Sequence, residues 1–161
     1  MKIIRSSIEL HDVFLKHLPD WLKDVEVRGW FDCSRNLLTT LQNAPKVARG
    51  FYCGHNQLTT LQGAPETIGG SFYCYFNKLT TLQGAPKEVG HDFFCSYNHL
   101  ITLVGSPKVI YGGFDCCYNQ LTTLLGAPEV IHGDFSCRGN PSKFTEEQIR
   151  AVCNVRGFVY I

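Results

Sequence analysis

Three interleaved residue series constrain this chain more than any other feature. The first is Phe31, Phe51, Phe72, Phe93, Phe114 and Phe135. The second lies two residues later, at Cys33, Cys53, Cys74, Cys95, Cys116 and Cys137, and the third three further on, at Asn36, Asn56, Asn77, Asn98, Asn119 and Asn140. The first step is 20 residues and each later one is 21. Self-similarity at such a period marks a stacked solenoid, because one unit alone cannot bury its apolar residues.

Each unit reads as a short strand, a tight corner, a Leu-rich arc and a Gly-Ala-Pro turn. In residues 90–110, Phe93 and Cys95 alternate with Phe94 and Ser96, so Phe93 and Cys95 share one face of a strand. Asn98, Leu100 and Leu103 follow, then Gly105-Ser106-Pro107, a strong break. Stacking places Phe over Phe and Leu over Leu. At the corner, backbone groups lose their sheet partners. A buried Asn amide offers both donor and acceptor to its own coil and a neighbouring one, so a continuous asparagine ladder is predicted from Asn36 to Asn140.

The segment Phe-x-Cys-x-x-Asn-x-Leu resembles the leucine-rich-repeat consensus, with Phe and Cys in the first two Leu positions. The repeat length, the Leu-Thr-Thr-Leu run and the short Pro-containing return are similar to the short-repeat class of bacterial effectors and to small repeat proteins of tailed phages and bacteria. The resemblance covers residues 29–140. It implies an α/β, leucine-rich-repeat-like fold: a right-handed solenoid with a curved parallel sheet of about six to seven strands. The return path holds only about seven to ten residues and is broken by Gly and Pro, so the outer face is expected to be mostly non-helical.

The ends depart from the repeat. Three segments are expected: an N-terminal helical cap at 1–27, six repeats at 28–140, and a C-terminal helix-strand cap at 141–161. Ser7 can cap a helix that continues through Ile8, with Leu10, Val13, Phe14, His17 and Leu18 on one amphipathic face before Pro19. Thr145-Glu146-Glu147-Gln148 is a capping-box pattern. Val155-Arg156-Gly157-Phe158 then echoes Val27-Arg28-Gly29-Trp30 and predicts a closing strand.

Composition narrows the function classes. Net charge is +1, with Lys and Arg spread along the chain, so no basic arm selects nucleic acid. The N-terminal apolar run is too short for a signal peptide, and no stretch is long enough to cross a bilayer, so a cytoplasmic protein without membrane contact is expected. Eight Cys raise the question of disulfides or metal. Zinc sites bring pairs two to four residues apart, whereas here one Cys recurs per coil, so reduced thiols packed in the core are expected. No cofactor or metal site is predicted. Cys53, His55 and Cys117 have no orienting third group, so catalysis is not predicted either.

If Phe, Cys and Asn point inward, the residues between them form the concave face. Its centre is aromatic: Tyr52, Tyr73, Tyr75, Phe76, Phe94, Tyr97 and Tyr118, with Asp115 and Arg138 toward one end. Aromatic centres with charged rims are the composition of interfaces. Aromatics also pair across strands for stability alone. A protein partner is expected at this face, and the phage and bacterial resemblance implies an inhibitor of a host protein. A small planar ligand, such as a nucleotide or a sugar, is the alternative for the same groove. The chain is expected to be a monomer or a dimer through the concave face.

Overall fold

Two residues of strand follow from each Phe-x-Cys unit. The computed structural model describes residues 1–161 and shows them stacked in chain order, all parallel, as one eight-stranded array. Its strands are Ile8–Glu9, Phe31–Asp32, Phe51–Tyr52, Phe72–Tyr73, Phe93–Phe94, Phe114–Asp115, Phe135–Ser136 and Val159–Tyr160. The register sets Phe72 beside Phe93 and Phe93 beside Phe114, so identical side chains stack. The buried rings lie 5.3–5.8 Å apart from Phe31 to Phe135. Leu58, Leu61, Leu79, Leu82, Leu100 and Leu103 are fully buried beside them. The molecule is thus a parallel β-solenoid of about eight turns with a 21-residue period.

The Val- or Ile-led segment before each Phe also pairs with its neighbours. One array joins Lys2–Ile4, Val25–Val27 and Lys46–Val47; another joins Thr67–Ile68, Glu88–Val89, Val109–Ile110, Val130–Ile131 and Asn154–Val155. They are separate between Lys46–Val47 and Thr67–Ile68. That gap falls at the one coil that is a residue short, Pro45-Lys46-Val47 against Pro65-Glu66-Thr67-Ile68.

The asparagine ladder is continuous. Asn77 donates from Nδ2 to the carbonyls of Cys53 (3.1 Å) and Cys74 (3.1 Å), and its Oδ1 accepts from the Leu58 N–H at 2.9 Å. Asn98 and Asn119 repeat the pattern one coil on. No buried side-chain polar atom lacks a partner. All eight Cys are free thiols, and all are buried.

Three expectations are corrected. The strand count is eight in the main array, not six to seven, and the fold is close to all-β rather than α/β. The N-terminal helix does not form. Residues 8–18 are instead a degenerate first coil: Ile8, Leu10, Val13, Leu15 and Leu18 occupy the places of Phe31, Cys33, Asn36, Leu38 and Leu41. The Ile8, Leu10 and Asp12 N–H groups donate to the Trp30, Asp32 and Ser34 carbonyls, as in the five coils that follow. Asn36 reaches back to the Leu10 carbonyl at 2.7 Å and accepts from the Leu15 N–H at 2.9 Å. The coil shares only Leu10, Val13 and Leu18 with the expected helical face; Phe14 and His17, its other members, are exposed. Cross-coil hydrogen bonds, invisible to that pattern, decide the outcome. Only a 3-10 turn, Asp20–Asp24, is helical at this end.

The C-terminal expectation holds. Helix Glu146–Val152 carries a complete capping box between Thr145 and Gln148, and Val159–Tyr160 closes the sheet. Val159, not Phe158, takes the place of the core Phe. No helix is long and apolar enough to cross a membrane.

Candidate interaction face

Strand alternation turns the residues between Phe and Cys outward, and stacking lines them up in columns. Tyr52, Tyr73 and Phe94 form one column, with ring centroids 5.1 and 4.8 Å apart and planes 22° and 10° apart. These rings are half-buried. Tyr75 stands between columns, 6.2 Å from Tyr73 and 6.0 Å from Phe76.

The second column is more exposed and more regular. His55, Phe76, Tyr97 and Tyr118 stack at 4.5, 4.2 and 4.5 Å, with interplanar angles of 11°, 7° and 15°. Phe76 and Tyr97 are each 43% exposed and Tyr118 is 51% exposed. Their backbones explain the position. Each residue precedes a ladder Asn at the corner, where the chain turns through the left-handed region. Arg35, His55, Phe76, Tyr97 and Tyr118 have φ between 51° and 54°. A left-handed residue other than Gly costs about 1–2 kcal/mol, and a bulky one there is an outlier. The next corner uses Gly139, at φ 70°, and the Tyr118 ring occupies the space a side chain would need there.

The rim residues differ from expectation in what they touch. Asp115 Oδ1 accepts from the Cys117 N–H at 2.9 Å, so it braces its own corner, as Asp32 does for Ser34. Arg138 lies over the Tyr160 ring, 5.2 Å from its centroid. Tyr160 and His55 therefore join the face, although neither is among the nine residues picked from sequence. His55 was readable from its place in the column. Tyr160 was not, because only the register with Ser136 brings it there.

The centre of the face carries no Lys, Arg, Asp or Glu. Burial, followed by the Arg35 guanidinium, lowers the His55 pKa. Burial, then the neighbouring phenols, raises Tyr52 and Tyr97. The thiols are poor nucleophiles: burial raises Cys53 well above its ordinary range, and Cys117, bonded to Ser136 Oγ at 2.9 Å, is pushed up to about 11 chiefly by burial.

Fold and face together define a class: a parallel β-solenoid with a 21-residue period, a buried asparagine ladder and stacked aromatic columns on its outward sheet face. No protein-family model matches the chain, and no curated protein or solved structure shows a match to it.

Proposed function

We propose that this protein is a binding module of the leucine-rich-repeat type that engages a protein partner through the aromatic face. The exposed Phe76–Tyr97–Tyr118 column carries the proposal. Three successive large rings sit on left-handed backbone where Gly or Asn would be relaxed. Strain retained at a surface points to a use for the side chains it displays. Tyr52, Tyr73, Tyr75 and Phe94 widen the same surface, with Asp115 and Arg138 at its end. An exposed aromatic patch with a charged rim suits a protein interface. The phage and bacterial resemblance extends this to an inhibitor that acts by covering a host protein's surface.

Ring spacing favours a macromolecule over the small-ligand alternative. At 4.2–5.1 Å the rings already stack on one another, leaving no slot into which a base or sugar could insert. The test is affinity capture from the source cell with wild type and the Phe76→Ala/Tyr97→Ala chain side by side. A protein held by wild type and lost by the variant supports the proposal. Equal capture by both overturns it. A nucleotide or sugar that raises the wild-type melting temperature but not the variant's replaces it with the ligand reading.

A further inference from the structure

In the two shorter strand arrays, five of the seven coil-to-coil steps join two carbonyls of one coil to its successor; the step from Lys46–Val47 to Thr67–Ile68 has neither bond, and the step from Lys2–Ile4 to Val25–Val27 has only the first. The first belongs to the core Val or Ile. It accepts from the N–H of the residue after the equivalent position one coil on: Arg28 to Ile4 (2.8 Å), Ala48 to Val27 (2.9 Å), Gly90 to Ile68 (2.9 Å), and Arg156 to Ile131 (2.9 Å). The second lies two residues further: His91 N–H donates to Gly70, Gly112 to His91 and Gly133 to Gly112, and the last in line is Gly157 to Gly133 at 3.0 Å. On the coil closed by Val159–Tyr160 the equivalent acceptors are the carbonyls of Val155 and Gly157.

Arg150 takes both. Its Nη1 donates to Val155 O, its Nη2 to Gly157 O at 3.1 Å, and its Nε to Glu146 Oε1 at 2.8 Å. Glu146, one helical turn away, fixes the plane of the guanidinium. The rigid fork of arginine matches two parallel acceptors. Two guanidinium N–H groups therefore stand where two backbone N–H groups of a next coil would be.

The other end of the molecule carries the complementary groups. Arg5 and Ser6 follow Ile4 as Arg156 and Gly157 follow Val155. The Arg5 and Ser6 N–H groups make no hydrogen bond within the chain, and both residues are exposed. We infer that Arg150 closes the C-terminal end against a second copy of this chain, whose Arg5 and Ser6 N–H groups fit the same two carbonyls. Such a contact is head-to-tail and does not close on itself, so without the cap it propagates into filaments.

The experiment is sedimentation velocity over a hundredfold concentration range on the full chain, with circular dichroism to verify the fold. Wild type is expected to sediment as one chain throughout. Arg150→Ala is expected to shift to two-chain and longer species as concentration rises. Adding Ser6→Pro, which deletes one donor at the opposite end, is expected to restore the single chain. The inference is overturned if wild type already assembles, if folded Arg150→Ala stays single at every concentration, or if Ser6→Pro leaves its assembly unchanged. Should Arg150→Ala unfold, Arg150→Lys decides: it keeps the charge and stem but has no fork to satisfy both carbonyls. Concentration-dependent assembly of that variant supports the inference, and its absence overturns it.

Discussion

Phe76 and Tyr97 stack with centroids 4.2 Å apart and planes 7° from parallel, each on a backbone at positive φ, 51° and 54°. The pairing joins an unfavourable local conformation to a favourable contact one coil away. Each ring accepts the strain of its corner and recovers part of it from its neighbours.

This sets an inverted order of stability at position 97. Tyr97→Ala keeps the left-handed strain and loses two stacking contacts, each worth about 0.5–1.5 kcal/mol. Tyr97→Gly loses the same contacts but is relieved of about 1–2 kcal/mol of strain. The Gly variant is therefore expected to melt above the Ala variant, and both are expected to lose partner capture. Thermal melts of the pair check this; a Gly variant that melts lower than the Ala variant would rule out strain at the corner.

Asn77 makes a second prediction. Asn77→Ala strips the buried Leu58 N–H of its acceptor, while the Cys53 carbonyl keeps the Asn56 amide at 3.2 Å. The orphaned N–H costs about 1–3 kcal/mol. In a chain of this length the melting temperature falls by roughly 2–4 °C per kcal/mol. Asn140→Ala should cost less, because Asn140 is only half-buried and water can reach the groups it leaves. Equal losses at both sites would show that burial is not what makes the ladder strong.

The thiols predict an alkaline limit. Burial raises Cys117, Cys137 and Cys153 to about 11 and places Cys33, Cys53, Cys74, Cys95 and Cys116 above that. Their ordinary value is 9.0. A raised folded pKa means full stability below the unfolded value and loss above it, since the unfolded chain then binds fewer protons. Each thiol contributes a slope of about 1.4 kcal/mol per pH unit between the two values, so the eight together give a slope on the order of 10 kcal/mol per unit. Denaturant titrations at pH 8, 9 and 10 should show a steep drop only above pH 9. A flat profile to pH 10 would mean the thiols ionise in place.

Gly84 gives a fourth prediction, at a turn. Its φ is 85°, and an added Cβ would lie 2.5 Å from Gln62 N and 2.7 Å from Leu61 C, both backbone atoms. Gly84→Ala combines left-handed strain with overpacking against a rigid neighbour, at least about 2 kcal/mol. A melt should fall by several degrees; an unchanged melting temperature would mean that the coils can separate to admit a methyl group.

Much of the fold was legible because stacking repeats the same contact. Phe72, Cys74, Asn77, Leu79 and Leu82 each meet their own kind one period away, so spacing alone named the core and the ladder. The capping box at Thr145 was legible for a different reason, being local. Residues 8–18 were misread because Leu10, Val13 and Leu18 fit both a helical face and the coil, and the hydrogen bonds to Trp30, Asp32 and Ser34 decide between them. The aromatic face was legible as a set of residues but not as two columns of different exposure, and Asp115 was not legible as a corner brace.

The sequence by itself determined the period, the inward residues and the choice of Asn at each corner, because these are set by covalent spacing and side-chain chemistry. Tertiary structure alone decided three things. It stacked His55, Phe76, Tyr97 and Tyr118 on left-handed backbone, made a coil of the first residues, and brought the Arg150 guanidinium onto the carbonyls of Val155 and Gly157. All three depend on hydrogen bonds or ring contacts that form only once the chain has turned back on itself, and no local pattern carries that geometry.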